Sequence, residues 1–111
     1  MNQNVDRMAI AIVYHSQSTQ LVDALNDREI PVTVVDARGG FLEEAMITLV
    51  AGLSHQRLPL FFSLVREHCP VRTRYMQVGV ELTDEYPFAP IEVRVGGATV
   101  FVVPVEAFVQ L

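Results

Sequence analysis

The segment Gly39-Gly40-Phe41-Leu42, followed at once by Glu43 and Glu44, is the part of this chain best suited to receiving a ligand. Glycine has no Cβ and takes positive φ at little cost, so backbone there can come close to a bound molecule. Phe41 offers a flat face for a ring to lie on, and the two carboxylates oppose a phosphate in the same place. The rest of the chemical inventory is thin. His15, His55 and His68 are widely spaced, and the last two fall at opposite ends of one expected helix, so they do not share a metal from it. The chain has no His-x-Glu, Cys-x-x-Cys or His-Glu-x-x-His spacing, no Gly-x-Ser-x-Gly elbow and no Walker loop. Glu43 and Glu44 are neighbours, and on extended backbone they point to opposite faces, a poor geometry for an acid/base pair. The histidines read as surface or capping residues, Cys69 as a core residue and the acids as solvated charge. No catalytic residue, metal or cofactor is expected from these spacings.

The elements that must carry these residues follow from patterning. Residues 8–14 form a continuous apolar run, as in a central strand buried on both faces. Ser16 or Ser18 then serves as cap for a helix through Asp27. Pro31 ends the connection, and Val32-Thr33-Val34-Val35 is β-branched and strand-like. After the glycine loop, residues 45–53 alternate as a strand, with Ile47, Leu49 and Leu53 on one face. Ser54 caps a second helix to about His68, with Pro59 in its first turn and Leu58, Phe61, Phe62 and Val65 inward. Residues 71–80 read as a strand, and residues 81–90 as an acidic, proline-bearing loop. Residues 91–95 and 98–103 are strands joined by Gly96-Gly97, a two-residue hairpin signal. Residues 104–108 suggest one closing helical turn. The order is β-α-β-β-α-β plus a C-terminal hairpin, and its first six elements make the split ferredoxin-like pattern.

Length and charge bound the function. A chain of 111 residues fits one domain, residues 1–111, with residues 1–7 as a flexible tail. At this size it gains from oligomerising. A net charge of -5 opposes DNA or RNA binding, which needs a basic face for phosphates. A single cysteine suits a reducing cytoplasm. No apolar run approaches the roughly 20 residues that span a bilayer, and the polar start has no signal-peptide core. The expected location is cytoplasmic, without membrane contact.

The C-terminal stretch IEVRVGGATVFVVPVEAFVQ, residues 91–110, closely resembles the signature of the cyclic-di-AMP receptor family. The resemblance continues upstream in register through residues 9–13, Thr33, Gly39-Gly40-Phe41-Leu42, Thr48, Gly52, Arg57 and Cys69. It implies an α+β, PII-like fold: the ferredoxin-like βαββαβ unit with a C-terminal β-hairpin, assembled as a homotrimer with three sheets around one axis. Ligand pockets in such proteins lie between subunits, beneath two loops that correspond here to residues 39–46 and 83–90. The family senses a dinucleotide and passes a conformational change to a protein partner. By the same resemblance Thr33 hydrogen-bonds the ligand, Gly40 allows close approach, and Phe41 and Leu42 embrace an adenine. Gly52 lines the pocket floor, and Gln110 supplies a C-terminal polar contact.

The chain departs from the family after Leu42. The pattern Arg-x-Gly-Asn is replaced by Glu43, Glu44, Ala45 and Met46, and Pro31 stands where receptors often carry a basic residue. Cyclic di-AMP carries two negative charges. Each exchanged charge at a half-exposed site is worth about 1 kcal/mol. A lost buried amide contact adds about 1 to 3 kcal/mol. At about 1.4 kcal/mol per tenfold, affinity for cyclic di-AMP would fall by a few orders of magnitude. Three readings therefore stand: a receptor that binds cyclic di-AMP; a divergent member without it, acting as an oligomeric interaction module; and a small ferredoxin-like enzyme, which Glu43, Glu44, His15 and Cys69 do not support by spacing.

Overall fold

The computed structural model describes residues 4–36, 46–76 and 91–111. The elements are β1 (Arg7–Tyr14), α1 (His15–Asp27), β2 (Thr33–Asp36), β3 (Met46–Leu53), a 3₁₀ turn (His55–Arg57), α2 (Leu58–His68), β4 (Val71–Met76), β5 (Ile91–Gly96) and β6 (Ala98–Pro104). This is a mixed α+β chain with an antiparallel sheet and two helices, the layout of a small ferredoxin-like fold. Of the expected tail, Asp6 and Arg7 already belong to the fold. Arg7 pairs with Leu53 and Pro104, and the Asp6 amide donates to the Leu53 carbonyl (3.2 Å).

The four-stranded sheet has the order β2-β3-β1-β6, all antiparallel. Its inner face is built by alternation: Ala9, Ala11 and Val13 of β1 and Ile47, Leu49, Ala51 and Leu53 of β3 are buried. Leu21 and Leu25 of α1 and Phe61, Leu64 and Val65 of α2 pack on them in one core cluster. The small residues on β1 let the helices sit close. Cys69 ends α2 inside this core, and burial pushes its thiol upward, which suits a packing role.

The outer face is different. Residues directly opposite in register share a face, so Ile10 stands between Val50 and Phe101, and Met8 between Gly52 and Val103. Within one chain nothing from the helical layer covers this face, and Phe101 is 54% exposed. The apolar run of β1 is therefore buried on one face only and half-buried on the other.

Three expectations are corrected here. First, α1 starts at His15 with Tyr14 as N-cap and no capping side chain; Ser18 Oγ instead donates to the His15 carbonyl (2.8 Å). Second, Gly96-Gly97 does not close a β5–β6 hairpin. β5 pairs with β4 in a separate two-stranded sheet, and β6 crosses to the edge of the main sheet beside β1. Both glycines have positive φ, 89° and 85°, as a hairpin turn would need, but they turn the chain from one sheet into the other. The seat beside β1 goes to Ala98–Pro104, whose Val100 packs against the core, rather than to β4 with Arg72 and Arg74. Third, residues 105–111 are irregular rather than a helical turn. The expected Ser54 cap forms one turn earlier, on the 3₁₀ turn: Ser54 Oγ accepts from the Gln56 amide (3.2 Å), whereas α2 itself starts after Arg57 without a side-chain cap and with Pro59 in its first turn.

Candidate functional site

A groove of about 260 Å³ opens where β3 ends, and two chain turns build its walls. One wall is the end of α1. Ile30 N donates to the Leu25 carbonyl (2.8 Å) and Glu29 N to the Asn26 carbonyl (3.0 Å). This is the Schellman pattern, with Leu25 and Ile30 both buried as its apolar clasp. The left-handed position usually given to glycine is held by Glu29, at φ 59°. Pro31 follows directly, where it cannot continue the helix. Its presence in place of a basic residue thus has a local reason: it completes the helix stop.

The other wall is the turn after β3. Ser54 starts the 3₁₀ turn, which carries Arg57 back to the end of α1. Arg57 Nη1 donates to the Glu29 carbonyl (3.0 Å), and Nη2 donates to the Arg28 carbonyl. The guanidinium therefore ties the two walls together and satisfies carbonyls that the helix end leaves open. Among the described residues lining the groove, Arg57 is the one cation and Glu29 the one acid.

Gly52 lies on the floor between these walls, and Val5 and Asn4 line the same space. A Cβ at Gly52 would sit 3.1 Å from Val5 Cγ1 and 3.9 Å from Phe108 Cε1. The missing side chain makes room for Val5 and brings the C-terminal segment close. Val5 is held there by its neighbour. Asp6 accepts from the His55 amide (2.7 Å) and its other oxygen meets His55 Nδ1 at 2.6 Å. The pair joins residues 49 apart in sequence and caps the 3₁₀ turn. The hydrogen bonds from His55 hold the Asp6 carboxyl below the usual carboxylate range.

That lowered value has a pH consequence. A group whose pKa falls on folding contributes stability above its unfolded value, and that contribution disappears as pH falls through the folded value. The clasp is expected to be intact above about pH 4 and to open below it. Hydrogen exchange at the His55 amide should be level from pH 7 to about pH 4 after correction for intrinsic rates, then accelerate. In Asp6→Asn the acceleration below pH 4 should vanish.

The expected ligand residues are distributed as follows. Thr33 is exposed on β2 opposite Val50, on the outer face, and Gly52 lies two residues further along the same face of β3. Gln110 is exposed two residues beyond Phe108. Thr33, Gly52 and the segment leading to Gln110 are therefore brought to one side of the sheet. Gly40, Phe41 and Leu42, with Glu43, Glu44 and residues 83–90, lie outside the described residues. Met46 opens β3 opposite Tyr14, six residues from Gly52 and so about 20 Å from the groove floor. Val5, Phe108 and the Asp6–His55 pair escaped the sequence reading, since no spacing signals contacts between such distant segments. Among the described residues no three His, Cys, Asp or Glu side chains gather as a metal site. No helix there is long and apolar enough to cross a membrane.

A family model described as cyclic-di-AMP receptor matches residues 6–111. The chain is also similar to a crystal structure of a functionally unknown protein from Pediococcus pentosaceus ATCC 25745. The two are 30% identical with a TM-score of 0.73, over 96% of this chain and 98% of that one.

Proposed function

The chain belongs to the cyclic-di-AMP receptor family, and on that premise we propose that it is a PII-like signalling protein without catalysis of its own. In this reading it works in the cytoplasm as a homotrimer, holds a nucleotide such as cyclic di-AMP at the seams between subunits, and relays the bound state to a protein partner. The observation that carries the reading is the open outer face of the sheet, with an open groove at its edge. An apolar face centred on Ile10, Val50 and Phe101 suits packing against copies of itself. A groove with two walls and a floor but an open mouth suits closure by a neighbour. Thr33, Gly40, Phe41, Leu42, Gly52 and Gln110 are the proposed contacts.

A second reading has its own support. Val5 lies over Gly52, and Pro31 stands in the wall where a base would favour phosphate. On that reading the chain is an oligomeric interaction module that does not bind cyclic di-AMP. Isothermal titration of the full chain with cyclic di-AMP separates the two. Saturable binding at micromolar concentration or tighter supports the receptor; no heat at millimolar ligand supports the module.

A further inference from the structure

The groove described above lacks a base at Pro31, yet it is not without positive charge. Arg57 faces the same space from the opposite wall. Two of its N–H groups go to the neutral carbonyls of Arg28 and Glu29, and among the described residues no carboxylate lies within ion-pair distance of it. A guanidinium has five N–H donors in a rigid fork. Two are spent on fixing its plane, and among the described residues three remain. The charge is thus oriented by the backbone and not neutralised by an acid, which is the state a side chain needs to meet an oxyanion without rearranging. Around it stand Ser54, Gln56 and Asn4, neutral side chains with donors of their own, and Glu29, which lines the same groove with its carboxylate beyond ion-pair distance of Arg57.

We propose that Arg57 is the anion-contacting residue of this groove, taking a phosphate oxygen of the ligand in place of the base absent at Pro31. Naming that ligand as a cyclic dinucleotide rests on the receptor reading; the role of Arg57 as an oxyanion contact does not. The clamp on α1 and the anion contact are compatible, because they use different N–H groups.

The test uses the full-length chain and two probes. In the first, cyclic di-AMP is titrated at two salt concentrations into the parent, Arg57→Gln and Arg57→Lys. Loss of one charge-assisted contact should weaken binding by about tenfold to a hundredfold in Arg57→Gln and flatten its salt dependence, with part retained in Arg57→Lys. In the second, inorganic pyrophosphate is titrated into the parent while the Arg57 Nε–Hε resonance is followed; a saturable shift is expected. If the parent binds cyclic di-AMP and Arg57→Gln matches it in affinity and salt slope, Arg57 is a helix clamp only and the inference is overturned while the receptor reading stands. If cyclic di-AMP does not bind but pyrophosphate shifts Arg57 saturably, the inference stands and the receptor reading fails. If neither probe binds, both fall. The resonance measurement on the parent decides even where Arg57→Gln does not fold.

Discussion

Replacing Gly96 by alanine is expected to cost the fold about 3 to 5 kcal/mol, a large effect for one methyl group. Three terms make the sum. A side chain at φ 89° is strained by about 1 to 2 kcal/mol. The new Cβ would lie 2.3 Å from the Pro70 carbonyl oxygen, a backbone atom that no rotamer change can move aside. It would also stand 2.9 Å from Gln17 Nε2, the atom that donates to that same carbonyl at 3.1 Å. Gln17 is buried, and its Oε1 has no partner among the described residues, so losing the remaining bond strands the whole amide. A buried amide without a partner costs about 1 to 3 kcal/mol. Gly97→Ala is the internal control. Its φ is similar, but its Cβ would meet only the Val71 Cγ2 methyl at 2.9 Å, the end of a side chain that can turn. About 1 to 2 kcal/mol is expected there. Urea unfolding of both variants gives the comparison. Equal costs would mean that the corner at Gly96 is not held by the Gln17–Pro70 contact.

The same corner shows where sequence reading stops. Two adjacent glycines announce positive φ, and positive φ is what the chain adopts. The partner of the strand that follows is not a local property. It depends on which strand best fills the edge beside β1, and on a contact between Gln17 and Pro70, 53 residues apart. By contrast, β3 was legible nearly to the residue, because alternation of Ile47, Leu49, Ala51 and Leu53 with Thr48, Val50 and Gly52 is a local pattern with a period fixed by the pleat. The Ser54 cap was legible for the same reason. At the site, Gly52 stood out by resemblance, but the occupants of the space it leaves, Val5 and Phe108, come from the two ends of the chain. His55 looked like an unattached surface histidine until the fold delivered Asp6 to it. Residue types name candidates, whereas partners across the fold decide what a glycine or a histidine is for.

One discrepancy between sequence and single chain is itself informative. Residues 8–14 read as a strand buried on both faces, yet in one chain only Ala9, Ala11 and Val13 are buried. If the pattern encodes the assembled protein, the half-open face of Met8, Ile10 and Ile12 belongs to a subunit seam. Ile10→Asp is then expected to leave the chain folded and to abolish the trimer. In the single chain Ile10 is half-buried, so an aspartate there keeps part of its hydration and the helical layer is untouched. In the assembly it would meet Val50 and Phe101 of its own sheet and an apolar neighbour beyond them. Burying an unpaired carboxylate costs several kcal/mol. Removing the isoleucine forfeits a further 1.5 kcal/mol or so of apolar burial. A total near 4 kcal/mol per subunit lowers association roughly a thousandfold. Light scattering on the eluting peak should give three chains for the parent and one chain, 12.4 kDa, for Ile10→Asp, with far-UV circular dichroism unchanged. Ile10→Thr, which keeps β-branching and adds no charge, should remain assembled. An Ile10→Asp protein that still elutes as three chains would move the interface off this face and leave the groove at its edge without the neighbour that the sensor reading requires.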